Sequence, residues 1–251
     1  TSVTGVQTCA LPISTLSILI PVYNEINTVE RAISAVLEAP LPVERELVIV
    51  DDGSTDGTRE LLTSREWPES VRILLHEKNQ GKGSAVRTAV AAATGEFSAI
   101  FDADLEYDPA DLGHLVLPLL ESKTNACFGV RAFGGEASHS YLYVLGNRGV
   151  TFACNVLFNS YLKDIMTCHK VIRTTVFQGL ELRESGFAIE PEITARLLQR
   201  GERIYEMPCS YVARPTSEGK KLTSVDGFRV LRTLVRLRAG GGRPANLAPV
   251  P

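Results

Sequence analysis

The sequence lacks any apolar run near the roughly 18 residues that a membrane span needs. Its best candidate, LSILIPVY, is short and is broken by Pro21. Strong charge of one sign is also missing. The net charge is −3, so bulk charge argues neither for nor against nucleic acid. There is no CxxC pair. The five cysteines (Cys9, Cys127, Cys154, Cys168, Cys209) have no histidine near them in a zinc pattern. An odd, scattered set of this kind reads as reduced thiols of a cytosolic protein. No GxGxxG follows the first apolar run, which disfavours a dinucleotide-binding dehydrogenase. The GKGS at residues 81–84 is not the GxxxxGK[ST] of a P-loop. No internal repeat is visible.

What remains is ordinary globular material. Hydrophobic residues make up 44% and charged residues 22% of 251, enough for a sizeable core. Residues 1–14 (TSVTGVQTCALPIS) carry no positive n-region and so make a poor signal peptide. VTGVQTCALPI resembles the translation of a sequencing-library adapter. The expectation is a non-native leader over 1–14, one domain over 15–238 and a disordered Gly/Pro-rich tail over 239–251.

From Leu16 onward, short β-rich runs (LSILI, ELVIV, VRILL, FSAIF) alternate with helical patterns near 27–38, 56–65, 82–94 and 109–121. This predicts an α/β fold with a mainly parallel sheet and helices on both faces. Ligands of such sheets bind beyond the carboxyl ends of the strands. The polar clusters fall there: Asn24 and Glu25, then Asp51 and Asp52, then Asp102 and Asp104. Later segments predict a strand over 127–131, a helix over 139–160 and strands over 169–173 and 203–207. Further helices are expected over 190–200 and 223–238.

Three motifs carry chemistry. VDDGSTDGT (50–58) reads as a βα loop in which Asp56 or Ser54 can cap the helix. The adjacent carboxylates Asp51 and Asp52 suit a nucleobase or ribose. NQGKGSAVRTAV (79–90) reads either as a flexible helix start or as backbone NH groups and Lys82 facing an anion. IFDADLEYDP (100–109) gathers four carboxylates where a buried strand ends. In extended backbone, Asp102, Asp104 and Glu106 point the same way, which suits Mg²⁺ or Mn²⁺. Asp108-Pro109 reads as the cap and first residue of the next helix. Further on, ARPTSEGKKL packs cations that fit a phosphate grip. On the last helix, Val225, Phe228, Leu231 and Val235 fall on one side and Arg229, Arg232 and Arg236 on another. That pattern fits either a core-packed surface helix or one lying on anionic lipid, and YLYVLGNRGVTFACNVLF (141–158) has the same two readings.

Taken in order, IPVYNE, VDDGSTDGT, NQGKGSAVRTAV and DADLEYDP resemble the family 2 glycosyltransferases of the GT-A fold. RAFGG, DIMTCHKVIR, GFAIEPEI and ARPTSEGKKL resemble its polyprenyl-phosphate branch, the dolichol-phosphate mannosyl- and glucosyltransferases. The resemblance covers about residues 15–238. It implies that Pro21, Tyr23, Glu25 and Asp52 hold base and ribose, with Lys82 toward the donor. It implies that Asp102 and Asp104 bind Mg²⁺ or Mn²⁺ with the sugar diphosphate, Glu106 standing where some relatives carry a third ligand. Arg131, Arg148, Arg214 and Lys220 would neutralise phosphates. Asp164 and MTCHK would line the transfer site, with Asp104, Arg131 and Asp164 as the catalytic set. Glu190 and Glu192 would lie near the acceptor sugar pocket. Two departures stand out: Gly129-Val130-Arg131 replaces a usual GSR, and His169 stands where relatives carry tyrosine.

The implied activity is inverting transfer of a hexose from a UDP- or GDP-sugar to a polyprenyl phosphate. The protein would sit peripherally on the cytosolic membrane face through amphipathic helices, with no nucleic-acid partner. The rivals are a GT-A transferase with a saccharide acceptor and a catalytically silent nucleotide-sugar-binding partner.

Overall fold

The computed structural model describes residues 14–131, 141–212 and 224–241. Its first half repeats strand and helix: β1 (Thr15–Val22), α1 (Val29–Glu38), β2 (Glu44–Asp51), α2 (Thr58–Ser64), β3 (Val71–Leu75), α3 (Lys82–Ala92) and β4 (Phe97–Ile100). Two short helices follow, α4 (Asp111–Leu115) and α5 (Leu117–Leu120), then β5 (Ala126–Arg131) and the long α6 (Tyr141–Phe158). The chain closes with β6 (Lys170–Arg173), α7 (Thr174–Gln178), α8 (Ile189–Gln199), β7 (Ile204–Cys209) and α9 (Ser224–Gly240).

The strands form one sheet in the order β3-β2-β1-β4-β6-β5-β7. β1 pairs in parallel with β2 and β4, β2 with β3, and β5 with β7. Only β6 runs against its neighbours β4 and β5. The order reverses at β1, which makes the β1/β4 boundary the switch point where such sheets open a crevice.

Both faces are covered, as the near-continuous apolar strands predict. Alternate residues go opposite ways. Leu16, Ile18 and Ile20 with Leu47 and Ile49 pack under Val29, Ile33 and Val36 of α1 and Leu112 and Leu115 of α4. Leu19, Val48 and Val50 pack under Val86 and Ala89 of α3 and Ile189, Ile193 and Leu197 of α8. Each such fully buried Val, Leu or Ile side chain stabilises the fold by about 1.5–3 kcal/mol. A third cluster joins α6, α8 and α9 through Cys154, Phe158, Leu198, Val230, Leu234 and Leu237. The four described cysteines are free thiols.

Three local expectations change. Residues 102–106 are not extended. The chain turns over 103–105, and Leu105 takes φ +62°. The next helix starts at Asp111 rather than Pro109, and Asp108 Oδ1 accepts the Ala110 NH at 2.9 Å in a turn before it. The start of α3 is closely packed rather than flexible. Gly81 has φ +94°, and a Cβ there would lie 2.4 Å from the Ser185 carbonyl. Gly83 donates its NH to that carbonyl at 2.7 Å. These glycines let the 184–186 segment lie directly on the helix start.

Candidate active site

Every loop at one end of the sheet carries polar residues. Tyr23, Asn24 and Glu25 follow β1; Asp52 follows β2; His76 follows β3; Asp102, Asp104 and Glu106 follow β4. Arg131 ends β5, Tyr211 follows β7, and 164–169 precede the reversed β6. Parallel strands and one reversed strand thus collect seven chain segments at one crevice.

The first two loops are stitched together. Asn24 adopts φ +54°, accepts the Thr55 NH at 2.9 Å and donates its own NH to Ser54 Oγ at 2.9 Å. The Thr58 hydroxyl accepts the Glu25 NH at 3.0 Å, and Glu25 Oε2 accepts from Thr28 Oγ1 at 2.6 Å. Pro21 lies within β1 and Tyr23 stands half out into solvent at its end. Asp51 and Asp52, by contrast, are buried. Asp51 pairs with Arg59 at 2.7 Å. Asp52 accepts the Gln80 NH at 3.0 Å, the Gly81 NH at 2.7 Å and a hydrogen bond with His76 Nδ1 at 2.7 Å. Asp52 therefore anchors the loop that delivers Lys82, a structural duty that its motif did not reveal.

A line of alternating buried charge crosses the site. Lys82 Nζ lies 2.8 Å from Asp102 Oδ2, 3.0 Å from Cys168 Sγ and 3.2 Å from Glu190 Oε1. Glu190 Oε2 lies 2.7 Å from Lys170 Nζ. Lys170 is 0% exposed and also donates to the carbonyls of Ile165 and Thr167. Burial would lower the Lys82 pKa, but Asp102, Cys168 and Glu190 outweigh it and hold the ammonium well above its ordinary value. Burial would raise Asp102, yet the Lys82 charge keeps it below the carboxylate range. The Cys168 thiol is pushed up, mainly by burial and then by Asp102.

Beside this line, Arg131 grips Asp164 with two parallel bonds, Nε to Oδ2 at 2.6 Å and a terminal nitrogen to Oδ1 at 2.9 Å. Asn147 of α6 adds a third bond to Asp164 at 3.1 Å. Burial opposes the Asp164 charge, but the guanidinium wins and lowers its pKa. The Arg131 guanidinium sits 5.1 Å over the Tyr211 ring, and the Tyr211 hydroxyl donates to Glu106 Oε2 at 2.8 Å. Glu106 thus faces Tyr211, and Asp104 Oδ1 accepts the Glu106 NH at 3.1 Å. His169 stacks on Tyr107 with ring centroids 4.4 Å apart. Its pKa is pushed down to about 4, chiefly by burial. The ring packs against Tyr107 and Phe101 with Nε2 at 3.2 Å from the Asp108 carbonyl, a packing role.

The donor set was tested for a divalent cation. Among the described residues no three His, Cys, Asp or Glu side chains stand together to hold a metal ion. The expected trio of Asp102, Asp104 and Glu106 is not assembled, because the turn at Leu105 redirects Glu106. Asp102 and Asp104 still suit a hard cation in kind. Both offer oxygen, and a positive charge already sits 2.8 Å from Asp102. Magnesium-type ions commonly take only one or two carboxylates and complete their shell with phosphate oxygens and water.

The model for "Glycosyl transferase family 2" matches residues 17–180 of this chain. The chain is a family 2 glycosyltransferase. It is 27% identical over 221 residues to glycosyltransferase AglJ of Haloferax volcanii, covering 87% of this chain and 70% of that protein. It is 27% identical over 225 residues to a dolichol-phosphate mannosyltransferase of Pyrococcus furiosus. That match covers 88% of this chain and 63% of the relative, so the transferase spans less than two thirds of the mannosyltransferase's length. The fold matches the GT-A enzyme glucosyl-3-phosphoglycerate synthase of Mycobacterium tuberculosis, solved with Mn²⁺, uridine diphosphate and phosphoglyceric acid. The TM-score is 0.67 at 20% identity, over 93% of this chain and 80% of the synthase. This likeness establishes the GT-A fold of the transferase.

Of the residues singled out in the sequence, Asp102, Lys82, Cys168 and Glu190 meet directly, and Arg131 meets Asp164. Arg148 is exposed on α6, one residue from the Asn147 that holds Asp164. Arg214 and Lys220 lie outside the described residues. Glu192 is buried and accepts the NH groups of Arg183 and Glu184 at 2.9 and 2.7 Å. Sequence reasoning missed one participant. His76 belongs to no motif, and only its place after β3 could have flagged it. Lys170, named in the sequence only as the end of MTCHK, opens the buried strand β6.

Proposed function

We propose that the transferase moves one hexose, with inversion, from a UDP- or GDP-sugar to a polyprenyl phosphate while resting on a membrane surface. The observation that carries the lipid part is a pair of two-faced helices. On α6, Asn147, Thr151, Cys154 and Phe158 are buried, while Leu145, Phe152 and Val156 stand on the opposite side and are exposed, Phe152 by 69%. On α9, Val230, Leu234 and Leu237 are buried, while Phe228 (70% exposed), Leu231 and Val235 face out, flanked by Arg229, Arg232 and Arg236. The two helices pack together through their buried sides, each leaving an apolar stripe exposed. Outward apolar residues bordered by arginines are what an anionic bilayer receives. No helix among the described residues is long and apolar enough to cross a membrane. The likeness to a dolichol-phosphate mannosyltransferase over most of this chain supports the same acceptor.

Asp102 and Asp104 would hold Mg²⁺ or Mn²⁺ with the donor diphosphate. When bound, such an ion stabilises the charge that gathers on the departing nucleoside diphosphate. Tyr23 and Glu25 stand at the rim where base and ribose would rest. An acceptor phosphate oxygen attacks the anomeric carbon as the bond to the β-phosphate oxygen breaks, and the bonding pair leaves with the nucleoside diphosphate. That oxygen is already ionised near pH 7, so the reaction needs no strong base. Arg131, oriented by Asp164 and Asn147, would offset the charge of two anions brought together.

The test is a panel of radiolabelled UDP- and GDP-hexoses with Mn²⁺, offered to a short polyprenyl phosphate or to a soluble phosphorylated acid such as phosphoglyceric acid. Label is expected in the organic phase, and at least a hundredfold less with Asp104→Asn. Label confined to the aqueous product would overturn the lipid acceptor.

A further inference from the structure

Lys82 occupies ground that a divalent cation would need. Its ammonium lies 2.8 Å from Asp102 Oδ2, and a cation on that oxygen would stand about 2.0–2.1 Å from it. Two positive charges cannot share one carboxylate oxygen at those separations without strong repulsion in a buried site. The Lys82 backbone has no freedom to withdraw. Gly81 is held by Asp52, and Gly83 is held by the Ser185 carbonyl. Only the flexible four-carbon stem can carry the charge elsewhere.

The structure supplies one destination. Glu190 Oε1 is 3.2 Å from Nζ and accepts no hydrogen bond, although the residue is only 2% exposed. Its other oxygen is taken by Lys170 at 2.7 Å. Glu190 Oε1 is already an ion-pair partner of Lys82 with no hydrogen bond of its own, so it can take the ammonium's hydrogen bond when Asp102 gives it up.

We propose that Lys82 is an internal counter-cation of the metal pair: it neutralises Asp102 before a divalent ion binds, and shifts onto Glu190 Oε1 when one does. The proposal rests on Asp102 and Asp104 being the metal-binding carboxylates. Metal then enters by displacement, and Glu190 is a positioning residue that makes the displacement tolerable. The same shift links the donor side at Asp102 to the 164–168 segment, which Lys170 fastens to Glu190.

Binding of Mn²⁺ alone, without nucleotide or acceptor, tests this by titration calorimetry and by loss of the free-ion paramagnetic resonance signal. Removing the competing charge in Lys82→Met should tighten Mn²⁺ at least tenfold relative to the natural chain. Glu190→Gln should weaken it severalfold, and the double variant should behave like Lys82→Met, since Glu190 matters only while the lysine is present. Mn²⁺ should also raise the melting temperature of Lys82→Met more than that of the natural chain. Should Lys82→Met fail to fold, Glu190→Gln decides alone. Unchanged or weaker Mn²⁺ binding in Lys82→Met, or unchanged binding in Glu190→Gln, overturns the proposal. Full binding in Asp102→Asn overturns both the proposal and the metal assignment. None of these outcomes depends on which acceptor the enzyme uses, so failure of the lipid reading is scored separately.

Discussion

Arg131 and Asp164 meet edge to edge, at 2.6 and 2.9 Å, with the side chains almost wholly removed from solvent. They come from the end of one strand and the approach to its reversed neighbour. Their pairing closes the crevice between those segments, and Asn147 extends the closure to α6. A guanidinium held this way presents a fixed positive edge, which is worth more to catalysis than a mobile one.

Breaking this pair takes from the buried Arg131 guanidinium its carboxylate counter-charge. Asp164→Ala should lower stability by about 3–5 kcal/mol, seen as a shift in the urea midpoint with little change in slope. A midpoint within error of the natural chain would mean that the pair is solvated.

Stability should also depend on mild acid through His169. Its ordinary pKa of 6.5 is pushed to about 4 in the fold, mainly by burial. The unfolded chain therefore takes up a proton below pH 6.5 that the folded chain refuses until about pH 4. Stability is complete above 6.5 and drains away as pH falls through that window, by about 2 kcal/mol at pH 5. Asp102 and Asp164, held below the carboxylate range, add losses in the same direction only at lower pH. Urea titrations at pH 7 and pH 5 should show the loss in the natural chain and much less of it in His169→Tyr. An equal loss in both would place the effect elsewhere.

The exposed faces of α6 and α9 should govern membrane contact and little else. Phe152→Asp combined with Phe228→Asp should weaken binding to anionic vesicles at least tenfold in sedimentation. The melting temperature should hardly move, because neither side chain is buried. Undiminished sedimentation would remove these stripes from the membrane argument.

Much of this architecture is legible in the residues, for a physical reason. LSILI, ELVIV and VRILL are strands with few polar side chains, and polar residues (Asn24, Asp51, His76) mark where they end. What the residues hide is direction and partnership. The DADLE string alternates charge like a strand, yet Leu105 in the left-handed region breaks that alternation and sends Glu106 to Tyr211. Asp52 reads as a ligand group because nothing nearby in sequence announces His76 or the Gly81 NH, which arrive from 24 and 29 positions away. The Phe228, Leu231 and Val235 side of α9 fits core or lipid from sequence alike, but Val230, Leu234 and Leu237 form a second apolar side, and that one is buried. A helix with two apolar faces does not say from sequence which one the core will take.

The reversal of β6 has a consequence for how this scaffold can change. Residues placed ahead of that strand open toward the crevice, whereas residues placed after it extend the far rim of the sheet. Length variation just before Lys170 would thus reshape what the enzyme accepts, and variation directly at the Arg173 end of the strand would fall on the opposite side of the sheet. The first hundred residues sit on the other side of the β4/β6 seam and meet the later half at the crevice through Lys82, which reaches Cys168 and Glu190. One antiparallel strand divides the polypeptide into a half that can stay constant and a half that can diversify.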